Sequence, residues 1–173
     1  MASAATSLRL SSQKIPCGAT VTCEAVHDFD NLKLEEATKI IYERVVPECE
    51  RKKVMLSYFG NHNAGGLMGV KEYDELKDNE NLFQGEIQRI QKIFTFLSQH
   101  CHGKSLYNKD IDSYGLKGIV ERRTEYITNG EFIVAMLLHG YSARFGMRSD
   151  KMCVNAHFKA EITEAKDDSK SKE

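Results

Sequence analysis

Seven consecutive apolar residues, Phe132-Ile133-Val134-Ala135-Met136-Leu137-Leu138, stand between signals that begin and end a helix. A helix apolar all round has no face to offer water, so the fold must be built around it. Thr128 and Glu131 have the spacing of a capping box, in which each side chain accepts from the other residue's backbone N–H. Ile127 and Phe132 are placed as a hydrophobic staple, one before the cap and one four residues after it. Gly140 is placed as the left-handed residue past the helix end, with Tyr141 folding back on Met136. Thr128, Glu131, Phe132, Gly140 and Tyr141 are therefore expected to be structural residues.

The other periodicities are arranged around this rod. Asp30 or Asn31 can cap a helix with apolar positions Leu34, Ala37, Ile40, Ile41 and Val45, which Pro47 ends or kinks. Residues 54–59 fit a short helix or a strand, residues 60–66 read as a loop, and residues 67–80 carry no assignable pattern. From Asn81 to Gln99, the residues Phe83, Ile87, Ile90, Phe94 and Leu97 form one apolar helical stripe. Ser113 is the expected N-cap of a further helix, with Leu116, Ile119 and Val120 inward and Arg122 and Arg123 near its C-terminus. Residues 113–141 then form a helix–turn–helix unit. Residues 154–162 alternate strictly, apolar at even positions, as a half-buried strand does. A lone strand leaves its backbone unpaired, and the alternating stretch 19–25 is its expected partner. The expected fold class is α+β, mainly α: a compact helical domain with one small two-stranded antiparallel element joining the N- and C-terminal regions.

A chain of 173 residues fits one domain. We expect a basic arm at 1–18, a globular domain at 19–163 and a disordered charged tail at 164–173. The arm is rich in Ser and Ala and free of acids, which fits a flexible arm or a transit peptide. Five cysteines with no repeated spacing fit free thiols in a reducing compartment, the cytoplasm or nucleus of a host cell, with the plastid as the alternative. No run of apolar residues is long enough for a membrane span.

The net charge of −1 argues against a dedicated phosphate-backbone binder. A helix–turn–helix reader needs a polar recognition helix, and residues 132–138 are all apolar. Any nucleic-acid contact in this unit would fall to Arg144, Arg148 and Lys151, with Tyr141-Ser142-Ala143-Arg144 beginning another turn. His100-Cys101-His102 lacks the second ligand pair that structural zinc requires, and a frayed helix end explains it better. Gly65-Gly66-Leu67-Met68-Gly69 has neither a P-loop Lys-Ser/Thr nor a dinucleotide fingerprint, and Ser57 and Cys49 sit in no nucleophile motif. His139, at the end of the central helix, suits a protonated imidazole and reads as a satisfied C-terminal histidine. No cofactor or metal is expected.

Ser113-Tyr114-Gly115-Leu116-Lys117, the run Tyr126 to Ala135, Gly140-Tyr141 and Asn155-Ala156-His157-Phe158 together resemble a pattern in small uncharacterised proteins of phages and other viruses. The resemblance is confined to residues 113–158 and departs at Gly118, where the pattern has His. It implies a viral or mobile-element origin and carries over no catalytic residue. The reading is a non-enzymatic helical interaction or assembly protein that binds a protein partner or itself. The alternatives are a nucleic-acid-associated protein using residues 113–151 and a plastid-imported enzyme or accessory protein.

Overall fold

The computed structural model describes residues 17–57, 60–61, 85–148 and 151–163. The expected arm up to residue 16, the loop 62–66, the segment 67–80, the helix start at 81–84 and the tail lie outside the described residues. In chain order the elements are β1 (Cys17–Val21), a 3-10 turn (Phe29–Asn31), α1 (Leu34–Ile40), a π-turn (Ile41–Val45) and α2 (Val46–Arg51). Next come β2 (Leu56–Ser57), β3 (Gly60–Asn61), α3 (Ile87–His100) and β4 (Cys101–Gly103). The last described elements are α4 (Ser113–Glu121), α5 (Asn129–Leu138), β5 (Ala143–Arg148), β6 (Lys151–Phe158) and β7 (Ala160–Ile162).

α5 is the apolar rod, and every one of its residues is buried. It packs against α3, α4, the π-turn, β3 and β5, which places it at the centre of the core. Both of its ends are built as their residues dictate. The Thr128 N–H donates to Glu131 Oε2 at 2.8 Å and the Glu131 N–H to Thr128 Oγ1 at 3.2 Å, closing the capping box. At the other end Gly140 has φ +82°, its N–H donates to Leu137 O at 2.9 Å and the Tyr141 N–H to Met136 O at 3.1 Å. These are the two bonds of a Schellman motif. Gly140 is required twice over, since a Cβ there would also come within 3.1 Å of the Ala25 Cβ.

The expected mainly helical chain with a single two-stranded element is overturned. The described residues form a mixed α and β fold with three antiparallel sheets, ordered β1-β5-β6, β2-β3 and β4-β7. β1 does not pair with the C-terminal strand directly, because β5 lies between them. Residues 143–148 are therefore a strand and not a helical turn. Ala143 and Phe145 point inward, while Arg144 stands on the other face between Thr20 of β1 and His157 of β6. The signal is a period of two, but Gly146 and the short run obscure it. The expected strand 154–162 is two strands broken at Lys159, with β6 on β5 and β7 on β4. Its alternation holds across the break, and Ala156, Phe158, Ala160 and Ile162 are all buried.

Several boundaries also move. Pro47 does not end its helix: the π-turn precedes it and α2 continues to Arg51. A wider turn accommodates a residue that has no N–H and whose ring crowds the preceding carbonyls. Lys33, not Asp30 or Asn31, is the N-cap of α1, and the two candidates sit in the 3-10 turn. α3 starts at Ile87, because Glu86 is extended and its N–H is taken by Glu131 Oε1 at 2.9 Å. His100-Cys101-His102 is no frayed end, since α3 passes straight into β4, which β7 pairs. The α4 cap is Asp112, whose Oδ1 accepts from the N–H groups of Tyr114 and Gly115. Ser113 is buried and its Oγ accepts from the Ala156 N–H of β6 at 3.1 Å.

Candidate functional site

Alternation along β5 turns Arg144 away from the core. The segment 104–110 lies against that face, held to the end of β6 by three bonds. The Lys104 N–H donates to Lys159 O at 2.8 Å, the Asn108 N–H to Phe158 O at 3.0 Å, and His157 Nδ1 to Asn108 O at 2.8 Å. Asn108 Oδ1 also accepts from the Asp110 N–H at 3.2 Å, an Asx-type turn that shapes the loop from within. These anchors bring Tyr107 to two cations. Arg144 Cζ lies 5.3 Å and Lys159 Nζ 5.2 Å from its ring centroid, within the range of a cation–π contact.

Between the loop and Arg144 runs an open groove of about 890 Å³. Lys104, Lys109 and Arg144 line it against one acid, Asp110. Lys104 Nζ reaches Glu161 Oε2 at 2.8 Å, an exposed pair whose lysine can turn to a stronger anion. Leu106, 76% exposed, stands on the same wall. The groove thus offers positive charge beside an aromatic ring and an exposed apolar side chain. That combination suits a ligand with anionic groups and flat, weakly polar faces.

Of the three basic residues singled out in the sequence, Arg144 lines this groove. Arg148 and Lys151 are register partners at the β5–β6 hairpin end. Arg148 lies four residues along β5 from Arg144, roughly 13 Å at the usual strand rise. Tyr107, Lys104, Lys109 and Lys159 were not anticipated. The run Lys104-Ser105-Leu106-Tyr107-Asn108-Lys109 does mix base and aromatic, but it is too short to identify a surface unaided. Lys117 of α4 is buried. It is held by Glu121 Oε2 at 2.6 Å and Ile127 O at 3.0 Å, with the Tyr114 and Tyr126 rings each 5.3 Å away.

The remaining titratable candidates are structural. Glu131 is fully buried, and besides the cap it accepts from Arg89 Nε and from the Glu86 N–H. Cys49 is buried and desolvation pushes its thiol pKa up, and burial raises Cys23 to about 11, so neither is a ready thiolate. Ser57 Oγ donates to Gly60 O at 3.1 Å within the β2–β3 turn. Among the described residues no three His, Cys, Asp or Glu side chains converge as a metal site.

His139 departs from expectation. Its ring stacks on Phe94 at 3.8 Å and Nε2 donates to Phe94 O at 2.9 Å, so it is satisfied, yet burial holds its pKa below the ordinary 6.5. Desolvation outweighs the favourable helix end, the Phe94 carbonyl and the Asp30 charge. Below about pH 6.5 the unfolded chain takes up a proton that the folded chain resists, so stability falls with pH until the folded pKa is passed. Thermal midpoints from pH 7.5 to 5.5 should therefore drop more for the native chain than for His139→Phe. Equal slopes would show that the imidazole contributes nothing to the acid sensitivity.

No protein family, curated protein or solved structure matches the chain.

Proposed function

We propose that the chain is a non-enzymatic interaction protein whose working surface is the groove between residues 104–110 and Arg144, and that it takes an anionic macromolecule. The observation that carries this reading is the meeting of Arg144 of β5 and Lys159, just past β6, at Tyr107 of a segment distant in sequence. Both cations lie within 5.3 Å of one ring, so negative charge drawn to that ring is attracted by each. The lysines of the loop extend the same field. No helix of the described residues is long and apolar enough to cross a membrane. The near-neutral net charge is compatible with this reading, because a local cationic surface attracts anions whatever the overall balance. A viral or mobile-element origin, suggested by the resemblance of residues 113–158, belongs to the same proposal.

Retention on immobilised heparin tests it. The native chain should bind at low salt and elute as salt rises, and the double variant Arg144→Gln/Lys159→Glu should elute at clearly lower salt with an unchanged circular dichroism spectrum. Equal elution of the two would remove the groove as the working surface.

A further inference from the structure

We infer that the groove takes single-stranded nucleic acid, with Tyr107 as the platform for an unpaired base and Arg144, Lys159, Lys104 and Lys109 following the phosphates. This rests on the proposed anion-binding function and narrows it to one ligand class. Three observations point the same way.

The first is shape. A space of about 890 Å³ between one loop and one strand is the size of a small-ligand pocket and admits one or two nucleotides. A duplex is read in the opposite sense, by an element of the protein inserted into its groove. The helix placed to do so here, α5, is buried along its whole length.

The second is composition. Arg144 and Lys159 lie within 5.3 Å of the same aromatic ring, and Leu106 is exposed on the same loop. Phosphates need only the cations. The ring and the leucine are of use to a ligand that also presents flat, weakly polar faces, and a single strand presents one at every unpaired base.

The third is rigidity. Single-strand binders place aromatic platforms on a framework, so that the ligand and not the protein does the ordering. The Asn108–His157, Asn108–Phe158 and Lys104–Lys159 bonds fix the loop on β6 on either side of Tyr107. Tyr107 itself is half-buried.

The experiment is fluorescence anisotropy with a labelled twelve-nucleotide oligothymidine, a duplex of equal length and labelled heparin, using the full chain across a salt series. The single strand should bind more tightly than the duplex. Its log affinity should fall against log salt with a slope of roughly −2 to −3, as expected for three or four phosphate contacts. Tyr107→Leu should weaken the single strand by about tenfold or more while leaving heparin nearly unchanged, and Tyr107→Phe should retain binding. Lys159→Gln should make the salt slope shallower by roughly 0.7. Duplex binding as tight as the single strand, or Tyr107→Leu weakening heparin and the single strand by the same factor, overturns the inference and leaves the anion-binding function standing. Binding to none of the three probes overturns both.

Discussion

Glu131→Ala should destabilise the fold by about 3–5 kcal/mol, the cost of leaving one half of a buried ion pair without its partner. Three donors lose an acceptor at once. Glu131 Oε2 holds the Thr128 N–H and Arg89 Nε, while Oε1 holds the Glu86 N–H and shares Arg89. This one carboxylate therefore caps α5, positions the start of α3 and neutralises a guanidinium that is itself 19% exposed. Arg89 keeps Glu86 at 3.4 Å, which limits the loss. For a chain of this size the thermal midpoint should fall by on the order of 10 °C. Glu131→Gln should cost less, because an amide oxygen can still accept one backbone N–H. A double-mutant cycle with Arg89→Leu separates the ion pair from the cap. Additive effects would show that the two side chains do not act together, and the ion pair would then drop out of the account.

Phe132→Ala should cost a similar amount, about 3–5 kcal/mol, through lost transfer energy and the cavity left behind. The ring is fully buried and meets Phe158 of β6 edge-on, with centroids 6.0 Å apart. It therefore joins the central helix to the main sheet. Ile127, also buried, sits at the staple position on the other side of the cap. The urea midpoint should shift with little change in the slope of the transition, since the same surface is exposed on unfolding. A loss below about 1 kcal/mol would contradict a fold built around α5, because a large buried ring cannot be removed so cheaply from a packed core. Neither variant alters a groove residue, so anion binding measured well below the melting temperature should persist in both.

What could be read in advance follows the range of the interactions. The Thr128–Glu131 box and the Gly140 stop close within a single turn, so the residues present were sufficient to place them. The same was true of the inward face of 154–162, whose burial at Ala156, Phe158, Ala160 and Ile162 follows from parity alone. Where two neighbours had equivalent chemistry, the local sequence was undecided. Asp112 and Ser113 can each cap a helix, and Asp112 does so here because β6 brings the Ala156 N–H to Ser113. Pro47 carried a stop signal that one wide turn absorbed.

The sequence by itself determined that one short apolar helix would be buried with both ends closed, because its caps and its hydrophobicity act within a few residues of chain. Only the tertiary structure decided that residues 143–148 are a strand between β1 and β6, since strand pairing is a contract with distant segments that no short window contains. It alone brought Arg144 and Lys159 to the ring of Tyr107. Each is an ordinary residue in its own stretch, and the two cations meet one ring only because the folded chain brings these segments together.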